Sequence, residues 1–239
     1  MKLGIMQPYF APYLGYFDLI RQCDEWIVFD TAQYIRHGWV NRNRILHPTT
    51  SWQYVIVPLQ KHARETAIKD VFAASGNDWC ERIIGQLQHY RKKAPYFQSI
   101  TEFLSTTLSG TPGASIADVN VRLMTACCEL LGLRLKIRCF SSLNLSLPPI
   151  THPGQWALEI SSALNATEYI NPPGGRDLFD SAAFAAKGIK LTIQEHRSFH
   201  YTTPGYDFVP DLSIIDVLMW NSPEEILRHL RAAPAHTSG

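Results

Sequence analysis

The chain alternates short apolar runs with segments of helical spacing, and this alternation constrains its fold more than any other feature. The apolar runs that read as strands are Lys2–Met6, Trp26–Asp30, Leu133–Phe140, Glu168–Ile170 and Ile189–Ile193. Amphipathic segments lie between them, for example from Tyr16 to Cys23. Parallel strands need long crossovers, and these are usually helices. The pattern therefore predicts a Rossmann-like α/β fold, in which a mainly parallel sheet carries helices on both faces.

A helical portion interrupts this alternation in the middle of the chain, and another ends it. Helical spacing covers Asp78–Tyr90, Pro95–Leu108 and Ile116–Leu131, and later Ile214–Trp220 and Pro223–Leu230. The whole chain has 239 residues, a length that fits one large domain. We expect residues 1–231 to form that α/β domain and residues 232–239 to form a loose tail.

Composition excludes several classes of protein. Hydrophobic residues make up 46% and charged residues 18% of the chain, which argues against disorder. The net charge of +1 gives no overall attraction for nucleic acid or an anionic membrane. No apolar run reaches the roughly 18–20 residues of a membrane span, and Gln7-Pro8 interrupts the only stretch resembling a signal peptide.

The cysteines and histidines point to a cytoplasmic protein without a metal site. The five cysteines are odd in number and form no Cys-x-x-Cys pair, so we expect reduced, buried thiols. His196 and His200 lie four residues apart but have neither a clear helix nor a third ligand, so no metal site is predicted there.

The densest motif lies between the first strand and the first helix. It runs from Gln7 to Phe17 and holds two prolines, a glycine and several aromatic rings. Ligands of parallel sheets bind at the carboxyl ends of strands, and a helix N-terminus there suits phosphate or carboxylate. We therefore predict that Gln7, Tyr9, Tyr13 and Tyr16 contact substrate. The alternative is a loop that only packs over the sheet.

A second polar block follows the second strand. Asp30 ends that strand, where a carboxylate can bind a hydroxyl, orient an amine or act as a base. Along an extended chain Asn41 and Asn43 share one face, while Arg42 and Arg44 share the other. Two guanidiniums on one face can grip phosphate or carboxylate. We predict a catalytic role for Asp30 and substrate contacts for Gln33, Asn41, Arg42, Asn43 and Arg44, against the alternative of a solvated edge strand.

Three weaker signals lie further along. Asn171, Gly174 and Gly175 follow a predicted strand, and the glycines permit close approach to a ligand, although a plain turn explains them equally well. Asp216, in the first turn of a helix, is a second catalytic candidate. The basic run from His89 to Lys93 usually serves a helix end, but it could also contact an anionic substrate or a tRNA.

These motifs together resemble the WbqC-like protein family. The resemblance rests on Gln7-Pro8-Tyr9-Phe10-x-Pro12-Tyr13-x-Gly15-Tyr16-Phe17, Trp39-x-Asn41-Arg42-Asn43-Arg44-Ile45, Lys93-Ala94-Pro95-Tyr96-Phe97, Tyr169-Ile170-Asn171 with Gly174-Gly175, and Phe208-Val209-Pro210-x-Leu212-Ser213-Ile214-Ile215-Asp216. Members resemble proteins of bacterial polysaccharide and natural-product biosynthesis. The resemblance implies a biosynthetic enzyme, for which we favour transfer of an activated acyl or aminoacyl group to an amino sugar, a nucleotide sugar or a similar amine.

Two other functions remain open at this point. The segment from Phe10 to Tyr16 is similar to the His-x-Gly-His motif of nucleotidylyltransferases, which include the amide-forming pantothenate synthetase. Tyrosines replace both histidines here and the spacing is one residue shorter, so an enzyme that uses an NTP is an alternative rather than the favoured function. A non-catalytic binding or assembly protein is the other. A tRNA as aminoacyl donor has only weak support.

Overall fold

The structure is a computed structural model, and it describes residues 1–76, 78–134, 136–195 and 197–232. Its elements in chain order are β1 (Lys2–Met6), α1 (Leu14–Gln22), β2 (Glu25–Val28), β3 (Arg42–Leu46), β4 (Trp52–Ile56), α2 (Asp78–Gln86), α3 (Phe97–Leu108), α4 (Ile116–Leu130), β5 (Ile137–Cys139), α5 (Gln155–Ala163), β6 (Glu168–Asn171), α6 (Ser181–Ala186), β7 (Lys190–Ile193), α7 (Ile214–Trp220) and α8 (Pro223–Ala232). Of the predicted tail, Ala232 is the last residue of α8 and residues 233–239 lie outside the described part, as does His196.

The main sheet has five parallel strands in the order β5-β2-β1-β6-β7. Counted along the chain, the parallel strands stand in the order 3-2-1-4-5. The chain therefore starts at the centre, builds the sheet outward on one side, and then returns to build the other side. This is the strand order of doubly wound dinucleotide-binding folds, and the predicted Rossmann-like α/β class is confirmed.

Both faces of the sheet are covered, because apolar side chains alternate along each strand. Leu3, Ile5 and Ile27 pack on one face in a cluster with residues of α5 and α6. Trp26 and Val28 lie in the cluster on the other face, which includes α1, α4 and α7. The centre of β1 must be glycine, since a Cβ on Gly4 would stand 2.5 Å from the Trp26 ring.

An insertion of more than a hundred residues separates β2 from β5. It begins with the antiparallel hairpin of β3 and β4, in which Arg42 pairs with Ile56 and Leu46 pairs with Trp52. Helices α2, α3 and α4 follow and pack against one another and against α7. The predicted helical middle is thus present. The polar block that contains Arg42, Asn43 and Arg44 lies in a separate two-stranded sheet before these helices.

The described residues can also be compared with what composition suggests about membrane spans, cysteines and metal-binding groups. None of the helices among them is long and apolar enough to cross a membrane. All five cysteines are free, and burial raises the pKa of the Cys23 and Cys128 thiols to about 12. Within the described ranges, no three metal-binding side chains are grouped so as to hold an ion.

Candidate functional site

The strand order marks the place, at the carboxyl edge of the main sheet, where a ligand crevice is expected. The chain leaves β1 toward one side and β6 toward the other, so the loops that follow these two adjacent strands diverge. Ligands of doubly wound sheets bind in the crevice that opens at such a point. The loop after β1 carries the motif from Gln7 to Tyr13, and the loop after β6 carries Gly174 and Gly175. We call this the switch-point crevice.

Two buried amides fix the loop after β1. Asn43 Nδ2 donates to the carbonyls of Phe10 at 3.0 Å and Ala11 at 2.9 Å. Asn120 Nδ2, on α4, donates to the carbonyl of Pro8 at 2.8 Å. Asn43 therefore positions the loop, and its predicted contact with substrate stays a prediction. Sequence reasoning missed Asn120, although an asparagine beside Val119 on the buried face of a helix was a signal.

The three tyrosines of the motif from Gln7 to Phe17 divide into one buried ring and two partly exposed rings. Tyr16 is 2% exposed, its hydroxyl donates to the Gln7 carbonyl at 2.7 Å, and its ring meets Trp26 edge-on at 5.1 Å. Burial raises the pKa of Tyr16 well above its ordinary value. Tyr9 and Tyr13 are only half-buried, as is the side chain of Gln7. Of the predicted residues on this loop, these three can reach a ligand in the crevice.

In the loop after β6, Gly175 is closely packed against its neighbours, whereas the space around Gly174 is open. Asn171 accepts a hydrogen bond from the Tyr169 hydroxyl at 2.7 Å and donates to the Pro172 carbonyl at 2.8 Å. A Cβ on Gly175 would stand 2.2 Å from Asn171 Nδ2, whereas one on Gly174 would meet nothing within 4 Å. Gly175 is thus required by packing. Gly174 leaves its backbone free for a ligand to approach.

Asp30 lies one strand away from the crevice and forms a pair with Ser141. Its carboxylate is 3% exposed and accepts hydrogen bonds from the backbone N–H of Ser141 at 3.0 Å and from the Ser141 hydroxyl. Ser141 follows β5, so the carboxylate turns away from β1. Asp30 and Asn171 share the carboxyl edge, but no hydrogen bond joins their side chains. Sequence reasoning missed Ser141, an exposed residue that no motif singles out.

The hairpin arginines lie on one face, and the asparagines lie elsewhere. The Arg42 guanidinium stands 4.1 Å from the centre of the Tyr54 ring. Arg44 lies between two tryptophan rings and donates to the Asp211 carbonyl at 3.3 Å. The Asn41 side chain accepts a hydrogen bond from the Tyr34 hydroxyl and donates one to the Val57 carbonyl. Gln33 is exposed, and its side-chain amide donates a hydrogen bond to the Arg64 carbonyl at 2.9 Å.

This hairpin adjoins the crevice through the start of α7. The backbone N–H of Ser213 donates to the Arg44 carbonyl at 2.9 Å, and Tyr13 forms a β-bridge with Ser213. Burial raises the pKa of Tyr13, and the nearby charge of Asp211 raises it further. Tyr13 and Arg44 therefore share one neighbourhood.

Asp216 lies beneath the hairpin and is completely buried. Its carboxylate accepts hydrogen bonds from the Leu46 N–H at 2.8 Å, the Tyr201 hydroxyl at 3.0 Å and the Tyr90 hydroxyl. Burial raises the pKa of Asp216 to about 6. These contacts tie α7 to β3. The geometry favours a structural role, and the catalytic role stays a prediction.

A separate cavity of 630 Å³ opens at the opposite, amino edge of the sheet. Its charged lining consists of Arg21, Asp24, Arg134, Lys136 and Arg231. Arg21 pairs with Asp18 and Lys136 with Glu25. Helices α1 and α8 end beside this cavity, and cations stabilise the negative ends of helix dipoles. Two of its four cations thus pair with carboxylates, and Arg231 lies in the last turn of α8.

The chain belongs to the WbqC-like protein family, whose sequence profile it matches over residues 7–228. It is 28% identical to an uncharacterized protein of Mycobacterium tuberculosis, Rv1507c, over 232 residues that cover 96% of this chain and 97% of that relative. No solved structure matches the chain at a comparable level of significance. The family resemblance read from the motifs is therefore confirmed, and the comparisons name no reaction.

Proposed function

We propose that the chain is a cytoplasmic biosynthetic transferase, with residues 1–231 working as one domain and with its substrate in the switch-point crevice. In this proposal an activated acyl or aminoacyl group moves to the amine of an amino sugar or nucleotide sugar. The observation that carries the proposal is the strand order, which sends the polar loops after β1 and β6 in opposite directions at the carboxyl edge, where doubly wound sheets bind their ligands. Membership of a family associated with biosynthesis supports it.

The crevice offers groups for binding rather than for covalent chemistry. Gln7, Tyr9 and Tyr13 have partly exposed polar ends that suit a sugar or its phosphate. The open face of Gly174 lets backbone groups approach the ligand closely. Arg44 lies next to Tyr13 by way of Ser213 and supplies positive charge for a phosphate or carboxylate.

The Asp30–Ser141 pair supplies a route for a proton. When the amine attacks the acyl carbon, the new C–N bond forms and the bond to the leaving group breaks. The amine must also lose a proton. Asp30 lies one strand from the crevice, and the exposed Ser141, which follows β5, donates its hydroxyl hydrogen bond to the buried Asp30 carboxylate. The proposal therefore requires an acceptor whose amine extends past β2 to Ser141, where the proton passes through this hydroxyl to Asp30. General bases of this kind contribute about 10²–10⁴ in rate.

A mass-spectrometric screen tests the transferase proposal. The purified chain is incubated with nucleotide-linked amino sugars and with acyl thioesters or aminoacyl donors, and products are sought in which the acyl group has replaced one amine hydrogen of the sugar. Gly174→Ala should weaken sugar binding without changing stability, because the added methyl occupies open space in the crevice. Gly85→Ala on α2, which also meets nothing within 4 Å, is the matched control. Equal sugar affinity in both variants and the wild-type chain would contradict the proposed site.

Nucleotidylyl transfer is the second candidate, since the 3-2-1-4-5 order is common among nucleotide-binding sheets. It predicts pyrophosphate release from an NTP in the presence of a sugar phosphate, which a coupled phosphate assay measures. Acyl transfer from a preformed donor releases no pyrophosphate. The two reactions are therefore separated by a single measurement on the same protein.

A further inference from the structure

The segment that contains the β3–β4 hairpin carries an excess of positive charge. Residues 31–64 include five arginines and lysines but none of the chain's 21 carboxylates. The whole chain has a net charge of only +1, so the remainder carries an excess of negative charge. A segment with cations and no carboxylates attracts polyanions even when the protein is nearly neutral overall.

On the hairpin these cations are interleaved with aromatic rings. We call Trp39, Arg42, Arg44, Trp52 and Tyr54 the hairpin face. Each guanidinium lies over at least one ring, at 4.1 Å for Arg42 and Tyr54 and at 5.3 Å for Arg44 and Trp52. Trp39 is 38% exposed. The Nε of Arg44 is buried and has no hydrogen-bond partner among the described residues.

A second group of cations follows α2, the helix that contacts the hairpin. Gln86, at the end of α2, donates to the Tyr54 carbonyl at 3.0 Å and so joins this helix to the hairpin. Arg91, Lys92 and Lys93 follow a few residues later and are exposed. Three exposed cations thus follow the helix that contacts the hairpin, and together with the two hairpin arginines their number suits a chain of phosphates rather than a single one.

We propose that the hairpin face binds single-stranded RNA, and that the activated donor of the proposed transferase is an aminoacyl group on an RNA end. The part of the inference that concerns the donor rests on the proposed function. Unpaired bases stack on aromatic rings and on guanidinium planes, and surrounding cations neutralise the phosphates. The contact between Arg44 and the Ser213–Tyr13 bridge places this face next to the switch-point crevice.

The test measures RNA binding alone, by fluorescence anisotropy with a labelled single-stranded RNA of about 12 nucleotides ending in CCA. If three or four phosphates are contacted, raising the salt from about 50 to 200 mM should weaken binding about 20- to 50-fold. Trp39→Ala should weaken it at least about fivefold, because a stacked base is lost. Arg44→Gln should weaken binding and also make it less dependent on salt.

Arg231→Gln is the matched control, since it removes the same charge from the cavity at the other edge of the sheet. It should leave the affinity for RNA unchanged. Binding that falls equally in Arg231→Gln and Arg44→Gln, or that is unchanged in Trp39→Ala, would overturn the proposal. So would a preference for duplex RNA or for anionic phospholipid vesicles. A chain that binds no RNA but still forms amides from acyl thioesters would refute this inference and leave the proposed function standing.

Discussion

Replacing Asp216 with asparagine should change how the stability of the protein depends on pH. The carboxyl group is completely buried and accepts hydrogen bonds from Leu46, Tyr90 and Tyr201. Burial disfavours the charged form more than these bonds favour it, so the pKa of Asp216 rises to about 6. Asparagine has nearly the same shape and carries no charge at any pH.

The sign and size of the effect follow from linkage. An unfolded aspartate has a pKa of about 3.9, so the folded protein keeps a proton that the unfolded chain has already released. The stabilising contribution of Asp216 is therefore fully present below about pH 4 and is lost as pH rises through 6. Each pH unit in this window lowers the free energy of unfolding by about 1.4 kcal/mol. The total is about 3 kcal/mol.

Urea unfolding followed by tryptophan fluorescence measures this free energy at a series of pH values. The wild-type value minus that of Asp216→Asn should fall by about 3 kcal/mol between pH 4 and 7. Asp70→Asn, at an exposed aspartate, should give a difference that stays flat within about 0.5 kcal/mol. A difference that rises with pH for Asp216→Asn would mean that the hydrogen bonds stabilise the carboxylate more than burial destabilises it, and the reasoning would be wrong.

Three further changes test the site. Asp30→Asn should lower turnover by about 10²–10⁴ with little loss of stability, because asparagine can keep both hydrogen bonds with Ser141; steady-state kinetics at the wild-type rate would count against a base. Gly175→Ala should lower the melting temperature, since its Cβ displaces Asn171 and two hydrogen bonds at about 0.5–1.5 kcal/mol each are lost. Tyr16→Phe should cost about 1 kcal/mol in chemical denaturation without altering sugar affinity, and an unchanged stability would exclude its bond to the Gln7 carbonyl.

The strands and helices were predictable where burial alone decides the pattern. β1 and α7 have the predicted bounds, because every residue of α7 is buried and β1 is packed on both faces. The β3–β4 hairpin was harder to assign. Its alternating asparagines and arginines leave no continuous apolar face, and its register depends on the turn between the strands and on contacts with α7.

The carboxyl edge was predictable from strand ends, but the partners of its side chains were not. Asp30 accepts a hydrogen bond from Ser141, which follows β5 and lies 111 residues away. Asp216 accepts one from Tyr90, which lies 126 residues away. Spacing along a sequence contains no information about contacts of this range. A polar residue beside a strand end can equally face a ligand or fix a neighbouring loop, as Asn43 does, and only the tertiary fold separates the two.

The central position of β1 has a consequence for how the chain folds during synthesis. β1 precedes the other strands described and is the middle of the sheet, and one of its edges pairs with β6, where Lys2 stands opposite Glu168. The amino group of Met1 reaches Thr167, 166 residues along the chain. Until β6 leaves the ribosome, one edge of β1 has no strand to pair with, and unpaired edges invite pairing with other chains. A nascent chain of this topology therefore exposes an unpaired strand edge from the synthesis of β1 until that of β6.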